Sequence, residues 1–444
     1  MGGRGAFSST ALSRRASLLV ARLCEVRLNR WMILTRRAFA VAVALAPLMA
    51  PSAPGANRYK VLHTFGSGKD GSVPAGPLSL DGRGDLYGST YDGGTGKCGD
   101  YGCGMTFELQ PQAGGGWKET ALHEFTGGSD GSTPVGNLVL DAIGDVYGTT
   151  SAAGGGQASV FELGRGSKWK LSPLYGPYFS PGVTLDNLGD LYGFLGPGKL
   201  GDGAIGELSP GVGGWTYKQL YSFCSPKGGC PDGAEPRAPM SWDAHGNLYG
   251  TTLYGGNGSP KCPGNLGCGV AFQMTPNSDG TWTYHVLHRF ANFKTDGQYP
   301  YAGLVVDASG NAYGATASGG VHGTGTIFKL TPSTTGHWKQ TVLYDFPNCA
   351  EGCVPSFTLV FDKAGNLYGA GGGGNPDCGS YTCGTVFKLA PQKNGTWKYS
   401  AVHKFTGKDG NFPWGVIVDD KGNLFGTTSA GGTYNSGVAF EITP

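Results

Sequence analysis

One phrase, Asp-x-x-Gly-(Asn/Asp)-x-(Tyr/Phe)-Gly, recurs along the chain and constrains its fold more than any other feature. The seven copies are spaced by 60, 45, 57, 64, 55 and 57 residues. They begin at Asp81, Asp141, Asp186, Asp243, Asp307, Asp362 and Asp419. A repeat period of this length is typical of propellers and solenoids.

Each copy lies inside a longer unit, which is clearest in residues 282–332. This unit reads as a strand WTYHVLHRF, a turn, a strand YAGLVVD, a hairpin turn ASGN, a strand AYGATA, a glycine-rich loop and a strand GTIFKLTP. Short strands at this spacing are typical of all-β folds. Seven units give about 28 strands, so we predict a seven-bladed β-propeller with four antiparallel strands per blade. A β-solenoid is the alternative, but these units are long for its coils.

Composition supports the all-β prediction. The chain has 444 residues and 82 are glycine, which disfavours helices because glycine loses the most backbone entropy there. The sequence has no Gly-X-Y period, so it is not collagen. The 21 Tyr, 21 Phe and 9 Trp supply apolar surface that disordered chains lack.

The two ends of the repeat region complement each other. The last unit ends with GVAFEITP and lacks the tryptophan-type strand that follows elsewhere, whereas residues 57–65, NRYKVLHTF, match that strand. An unclosed propeller would leave an open sheet edge. We therefore predict one domain over residues 57–444, closed by the N-terminal strand pairing with the last blade, with the Asp-type strands innermost.

Residues 1–56 have the pattern of a signal region. From Met32, which fits the true start, the chain reads MILTRRAFAVAVALAPLMAPSAPGA: basic residues, a short apolar stretch and small residues. Both an ordinary signal peptide and a twin-arginine signal fit Arg36-Arg37. We expect the mature protein to be secreted or periplasmic.

The charge of the mature chain argues against nucleic-acid binding. Without residues 1–57, 25 basic and 30 acidic side chains remain, a net charge of −5. A mildly acidic chain without a basic run is unlike nucleic-acid binders. Because no second apolar segment follows and the chain stops at Pro444, we expect no membrane span or anchor in the mature chain. We also expect a monomer.

Apart from Cys24, the cysteines fall into close pairs. In an exported chain such pairs predict local disulfides. Zinc is the alternative, but nearby histidines are scarce and the spacings irregular. The pairs are Cys98/Cys103, Cys224/Cys230, Cys262/Cys268, Cys349/Cys353 and Cys378/Cys383.

The repeated units resemble a known repeat family. LHEFTGGSDGSTPVGNLVLDAIGDVYGTTSAAGG and VHKFTGKDGNFPWGVIVDDKGNLFGTTSAGGTYNSGVAFEITP are similar to the GloVer tandem repeat of bacterial secreted proteins. The resemblance covers about residues 57–444. It implies export and a repeat fold, but no established activity and no catalytic residues. Many members carry a C-terminal anchor, which this sequence does not show.

Residues that recur in nearly every unit are interpreted as scaffold. A histidine or tyrosine stands two residues before a phenylalanine, and a position that accepts either ring favours packing with a polar tip. The aspartate of the phrase precedes a hairpin, where its carboxylate can accept hydrogen bonds from turn amides. The histidines at this position are His63, His123, His288 and His403.

Acidic residues in the loops between units are the first candidate site. These loops, the glycine-rich loops and all the cysteine pairs are expected on one face of the propeller. A ring of carboxylates there can hold Ca²⁺ or bind sugar hydroxyls. Equally, each acid can cap its own turn, which we favour, so no cofactor is predicted and Ca²⁺ is the alternative. The acids are Asp70, Asp130, Asp232, Asp296, Glu351 and Asp409.

The third unit is shortened and supplies a second candidate site. It lacks the acidic loop and carries Gly176-Pro177-Tyr178-Phe179 instead. A blade with short loops can leave a cleft in the rim, although loops also tolerate harmless deletion. The residues expected to line the cleft are Tyr178, Phe179, Phe194, Lys199 and Asp202.

Three functions remain open. The favoured hypothesis is a binding module that recognises a glycan or an extracellular protein through the disulfide-stapled face, because no catalytic signature is found. The second is a lyase, lactonase or glycan hydrolase with a carboxylate pair at the channel mouth. The third is a cell-envelope scaffold.

Overall fold

A computed structural model describes residues 57–66, 69–151, 159–176, 181–224, 230–256, 262, 267–333, 336–350, 352–355, 357–375 and 383–444. These residues form 31 β-strands in seven antiparallel sheets and contain no helix. The predicted signal region lies outside them. Each sheet is one blade of a propeller, and the all-β, seven-bladed prediction is confirmed.

The first three blades follow one another along the chain, and in each the first strand is innermost. Blade one contains β2 Ser72–Pro74, β3 Ser79–Leu80, β4 Leu86–Asp92, β5 Met105–Pro111 and β6 Trp117–Glu124. Blade two contains β7 Ser132–Leu140, β8 Val146–Ser151, β9 Val160–Arg165 and β10 Trp169–Tyr175. Blade three contains β11 Val183–Leu185, β12 Leu191–Gly196, β13 Ala204–Ser209 and β14 Thr216–Ser222.

The next three blades repeat this order. Blade four contains β15 Ala234–Pro236, β16 Ser241–Trp242, β17 Leu248–Tyr254, β18 Val270–Pro276 and β19 Trp282–Arg289. Blade five contains β20 Val305–Val306, β21 Ala312–Thr316, β22 Thr326–Pro332 and β23 Trp338–Asp345. Blade six contains β24 Cys353–Pro355, β25 Val360–Phe361, β26 Leu367–Gly374, β27 Cys383–Pro391 and β28 Trp397–Lys404.

Blade seven is built from both ends of the repeat region. It contains β29 Asn411–Val418, β30 Leu424–Ala430, β31 Val438–Thr443 and, as its outermost strand, β1 Arg58–Thr64. The register pairs Arg58 with Thr443 and Thr64 with Val438. Closure by the N-terminal strand is therefore confirmed.

In six of the seven blades, the innermost part of the chain contains a residue in the left-handed backbone region directly before a proline. Such a conformation is uncommon for residues other than glycine. The amide of Val73 donates to the carbonyl of Ser436 (2.9 Å), and that of Tyr299 donates to Cys268 (2.9 Å), so each residue bonds to the preceding blade. The residues with this left-handed conformation are Val73, Thr133, Glu235, Tyr299, Val354 and Phe412, with φ between 48° and 57°.

Pairs of buried phenylalanines join the blades. The phenylalanine that follows each outer strand packs on one from the third strand of the next blade, at ring-centroid distances of 4.9–5.6 Å. Large apolar side chains of this kind contribute most to a core. The pairs are Phe65/Phe107, Phe125/Phe161, Phe223/Phe272, Phe290/Phe328, Phe346/Phe387 and Phe405/Phe440.

The joint between blades two and three is built differently. Gly206 stands in the register position of Phe161 and its equivalents, and a Cβ there would lie 2.4 Å from the ring of Tyr217. Tyr217 in turn stacks on Tyr175 of blade two at 4.5 Å. Equivalent outer-strand rings also stack at other joints, such as Tyr221 and Tyr284 at 4.0 Å, so this joint keeps the stack but lacks the buried phenylalanine pair.

The aspartates of the repeated phrase hold the hairpins on the face opposite the acidic loops. Asp243 accepts backbone hydrogen bonds from His245 (2.8 Å) and Asn247 (2.9 Å), and the hydroxyl of Tyr249 donates to it (3.0 Å). The same backbone pattern recurs at Asp307. This is the turn-capping role predicted from the sequence.

Candidate functional site

Two sets of loops share one face of the propeller, called here the loop face. Strand direction alternates within a blade, so the loop from second to third strand and the loop from one blade to the next emerge at the same end. In blade one these are residues 93–104 and 125–131. The described acids among the predicted set lie in such loops, and the described cysteines lie in them or, for Cys353 and Cys383, begin the strand that follows.

Each of the five predicted acids that the structure describes is paired with the histidine or tyrosine of the preceding outer strand. Nε2 of His403 lies 2.9 Å from Asp409, and Nε2 of His123 lies 3.1 Å from Asp130. His63/Asp70 and His288/Asp296 pair at 3.1 Å, and the Tyr221 hydroxyl donates to Asp232 at 2.7 Å. Glu351 lies outside the described residues.

The same carboxylates cap their turns. Asp409 accepts hydrogen bonds from the amide and hydroxyl of Thr406, both at 2.7 Å. Burial on its own would raise the pKa of Asp409, but the bonds from His403 and Thr406 outweigh it and lower the pKa to about 2. The carboxylate is therefore ionised at neutral pH and bound to protein donors. The Ca²⁺ alternative stays a hypothesis.

The next blade also bonds to these turns. The hydroxyl of Tyr284 donates to the carbonyl of Asp232, and that of Tyr59 donates to the carbonyl of Asp409. Tyr59 also stacks on His403 at 4.0 Å. The acidic turns therefore connect neighbouring outer strands at the periphery of the blades.

Blade one departs from this scheme. Glu119 occupies the position that Tyr59 and Tyr284 hold on their outer strands. Burial, the Asp70 carboxylate and the Glu124 carboxylate raise the pKa of Glu119 to about 7, and its Oε1 atom is buried without a partner. A carboxyl group in this state holds a proton near neutral pH.

Disulfides staple the loop face. The bridges Cys98–Cys103, Cys224–Cys230, Cys262–Cys268 and Cys349–Cys353 close loops with sequence separations of 4–6 residues. Cys383 is also disulfide-bonded, and Cys378 lies outside the described residues. Four of the predicted pairings are thus confirmed. Among the described residues, Asp202 with Cys224 and Cys230 is the one cluster of metal-ligand type, and its sulfurs are already bonded to each other.

Of the residues predicted to line a cleft in blade three, the structure describes Phe194, Lys199 and Asp202. Phe194 is only 3% exposed, because it packs between Phe223 and Phe272, so it offers no surface to a ligand. Lys199 is exposed and Asp202 is half-buried. Tyr178 and Phe179 lie outside the described residues.

The exposed aromatic side chains provide a signal that the sequence reasoning did not use. In the described part of the chain, every exposed tyrosine, phenylalanine or tryptophan lies on the loop face or at the mouth of the central channel on that face. Tyr101 is the most exposed, at 76%. The exposed hydrophobic side chains of the opposite hairpins are Ile143, Leu188 and Val212, with no aromatic ring. The exposed aromatic residues are Tyr91, Tyr101, Tyr301, Phe412 and Tyr434.

A cavity of about 670 Å³ occupies the central channel. It was not predicted as a separate site, since the residues that form it are the small and apolar residues between the acidic loops and the hairpins. Its described lining contains no aspartate, glutamate or histidine. Every blade contributes, through residues that include Ala75, Val135, Pro181, Met240, Tyr301, Phe357 and Trp414.

Seven antiparallel sheets of four or five strands around a channel, closed by the first strand, define a seven-bladed β-propeller. Residues 261–444 match the model of the Gloeobacter/Verrucomicrobia repeat. The match confirms the resemblance drawn from the sequence for these residues, which cover part of blade four, blades five and six, and blade seven except its outermost strand. It is shorter than the expected range of residues 57–444.

Solved structures resemble the chain only distantly. A protein of unknown function from Dyadobacter fermentans shares 12% identity with a TM-score of 0.38, over 88% of this chain and 99% of its own. A puromycin hydrolase mutant complexed with PGG shares 12% identity with a TM-score of 0.45, over 80% of this chain and 50% of its own. TolB from Acinetobacter baumannii shares 12% identity with a TM-score of 0.36, over 61% and 54%. No curated protein matches the sequence.

Proposed function

We propose that the protein is an exported binding module that recognises a glycan or an extracellular protein through its loop face. The supporting observation is the segregation of exposed aromatic side chains to that face. Tyrosine and tryptophan rings bury large area at low entropic cost and are enriched where proteins bind partners. Tyr101 and Tyr434 stand on glycine-rich loops of neighbouring blades, one and seven.

The loop face is also pre-organised. Disulfides close short loops, and the histidine–aspartate pairs hold the turns between blades. A surface that is ordered before binding loses less conformational entropy when a partner arrives. Disulfides form and persist in oxidising compartments, which supports a location outside the cytoplasm. In the described part of the chain, no helix has the length and apolar character needed to cross a membrane.

The described lining of the channel favours binding over the enzymatic alternative. A hydrolase or lyase at the channel mouth needs a positioned acid and base. The acids predicted for that role are instead engaged with histidines and turn amides at the edges of the blades, and none lines the channel cavity.

The test compares partner binding by two double variants. Purified mature protein is screened against a glycan array and against extracellular protein fractions, and hits are quantified by surface plasmon resonance. We expect Tyr101→Ala/Tyr434→Ala to weaken binding at least about tenfold, as loss of central aromatic contacts does. The matched control, Ile143→Ala/Leu188→Ala, removes exposed apolar side chains from the opposite face and should leave affinity unchanged. Equal loss in both variants, or no partner in either screen, would refute the proposal.

A further inference from the structure

One position at the mouth of the central channel keeps its backbone from blade to blade while its side chain changes. It is the left-handed residue that directly precedes proline. Its amide bonds to the preceding blade, from Thr133 to the carbonyl of Cys103 (2.6 Å) and from Glu235 to that of Asp202 (3.2 Å). The joint between blades therefore depends on the backbone of this position. The side chain is valine, threonine, glutamate, tyrosine, valine and phenylalanine in blades one, two, four, five, six and seven.

The proline that follows belongs to the same joint. A Cβ on Gly269 would lie 2.5 Å from Cδ of Pro300, and a Cβ on Gly437 would lie 2.5 Å from Cδ of Pro74. Both proline rings thus pack on a glycine of the preceding blade. A left-handed backbone persists outside glycine where its surroundings over-determine it. The mouth of the channel can therefore change its chemistry from blade to blade without a change of backbone.

Polar and aromatic side chains are gathered at blades four and five. Nη2 of Arg237 lies 2.6 Å from Oε2 of Glu235 in blade four. The ring of Tyr254, at the end of β17, meets that of Tyr299 in blade five edge-on at 5.6 Å. Burial raises the pKa of Tyr254 most, and the nearby Glu235 and Tyr301 raise it further. These five side chains lie close to one another and are called here the mouth cluster.

The mouth cluster is accessible from outside. Glu235 and Arg237 are exposed, and Tyr301 is 41% exposed. Arg237 and Tyr301 also line the channel cavity of about 670 Å³. Blades one and two carry smaller side chains at the same positions, so the large side chains stand on one side of the mouth. The smaller side chains are Val73, Ala75, Thr133 and Val135.

The tyrosine hydroxyls of the mouth cluster differ from those of the scaffold. The hydroxyls of Tyr249 and Tyr313 donate to the aspartates of the repeated phrase at 3.0 and 2.9 Å. Those of Tyr254, Tyr299 and Tyr301 have no hydrogen-bond partner among the described residues. A phenol can both donate and accept, so these hydroxyls are available to a ligand.

The charges of the mouth favour an uncharged ligand. Burial raises the pKa of Asp202, and the neighbouring Glu235 raises it further, so Asp202 faces the cluster from blade three. An anionic ligand would meet two carboxylates against one guanidinium. A cationic ligand would have to compete with Arg237 for the carboxylate of Glu235. An uncharged ligand meets neither obstacle.

The same side chains suit a sugar. The carboxylate of Glu235 accepts hydrogen bonds, and the guanidinium of Arg237 has five N–H donors, of which the ion pair uses only part. The ring of Tyr301 adds an apolar face beside them. A pyranose has hydroxyl groups at its edge and an apolar C–H face, which matches this arrangement. A protein partner needs roughly 800 Å² of surface, whereas the cluster opens on one side of a narrow mouth.

We infer that the mouth cluster binds an uncharged sugar residue of a glycan. The sugar ring lies on the exposed face of Tyr301, and its hydroxyl groups bond to Glu235 and Arg237. This inference rests on the proposed function in taking the loop face as the binding surface, and it names the class of ligand. It places the sugar on residues other than Tyr101 and Tyr434.

The test is isothermal titration calorimetry of the mature protein with cellohexaose, laminarihexaose and mannohexaose. We expect saturable binding of at least one of these neutral oligosaccharides and no binding of hexagalacturonic acid. Tyr301→Ala removes the stacking ring and should weaken binding at least about tenfold. Glu235→Gln keeps the shape and removes a charged acceptor, so we expect about tenfold weaker binding.

The matched control is Val321→Ala, in a loop of the same blade. Val321 is exposed, and its amide donates to the carboxylate of Asp345 at the end of the outer strand (2.7 Å). It therefore lies away from the channel mouth. This variant should bind the oligosaccharide like the wild type.

Three results would overturn the inference. They are no saturable binding of the neutral oligosaccharides, equal or tighter binding of hexagalacturonic acid, and wild-type affinity in Tyr301→Ala or Glu235→Gln. Circular dichroism checks that each variant is folded, and Glu235→Gln decides if Tyr301→Ala is not.

The outcomes also separate this inference from the proposed function. A protein partner that binds through Tyr101 and Tyr434, with no oligosaccharide bound, refutes the sugar site and leaves the binding module in place. Loss of oligosaccharide binding in Tyr301→Ala, with wild-type affinity in Tyr101→Ala/Tyr434→Ala, supports the mouth cluster and refutes the role proposed for the other two tyrosines.

Discussion

Phe65 follows the strand that closes the ring, and replacing it with alanine measures what that closure contributes. Its side chain is 0% exposed and packs on Phe107 of blade one at 4.9 Å. Removing a buried phenylalanine side chain costs about 3–5 kcal/mol, the lost transfer free energy plus a cavity. Folded domains have about 5–15 kcal/mol of stability in total. Phe65→Ala should therefore remove a large share of the free energy of unfolding.

Equilibrium unfolding in guanidinium chloride, followed by tryptophan fluorescence, measures this loss as a lower midpoint. Val61→Ala is the matched control, because Val61 lies on the same strand β1 but is 38% exposed. We expect the control to lose less than about 1 kcal/mol. A loss below about 1 kcal/mol in Phe65→Ala, or equal losses in both variants, would show that the N-terminal strand does not close the core.

Three further predictions concern the acids of the loop face. The pKa of Asp409 is lowered to about 2, so its ionised carboxylate stabilises the fold above the unfolded pKa, and this stabilisation is lost as the pH falls from about 4 to 2. Asp409→Asn should therefore lower the free energy of unfolding by about 1–2 kcal/mol at pH 7 and by little at pH 2. The pKa of Glu119 is raised to about 7, so its ionisation destabilises the fold as the pH rises; Glu119→Gln should stabilise by about 1–2 kcal/mol at pH 8 and not at pH 4. Chelation with EDTA should leave the melting temperature unchanged, because the carboxylates of Asp296 and Asp409 are bound to protein donors.

Each of these predictions has a contrary outcome. A stability difference for Asp409→Asn that is constant from pH 7 to 2 would disprove the pairing with His403. A stability difference for Glu119→Gln that does not change with pH would show that the Glu119 carboxyl group is solvated in the folded protein. A melting temperature that falls in EDTA and recovers with added Ca²⁺ would establish the metal site that the sequence offered as the alternative.

The propeller could be predicted because the sequence pattern of each blade is repeated along the chain. Asp-x-x-Gly phrases report hairpins, and the missing outer strand of the last unit is visible as NRYKVLHTF at the start. The left-handed residues of the inner strands, such as Val73 and Val354, were not predictable, because their residue types give no signal for a positive φ. The same holds for Gly206, whose role emerges only when Tyr217 is seen over it.

The candidate site was predicted less completely. The sequence shows that histidines and aspartates recur, but the bond between His403 and Asp409 depends on how a loop folds back over an outer strand. The channel cavity is lined by ordinary apolar residues, and only closure of the ring brings Trp414 and Asn137 to one space. Exposed tyrosines such as Tyr101 carry no mark in the sequence that separates them from buried ones.

The missing phenylalanine pair between blades two and three has a consequence for how the ring opens. Local opening is expected first where the fewest apolar contacts are buried. Stacked rings like Tyr175 and Tyr217 also occur at other joints, but only this joint lacks the pair of almost fully buried phenylalanines. Native-state hydrogen exchange should therefore find the first sub-global opening at this joint. The break between chain ends in blade seven would then be the stronger seam, and the protein would open in the middle of its sequence.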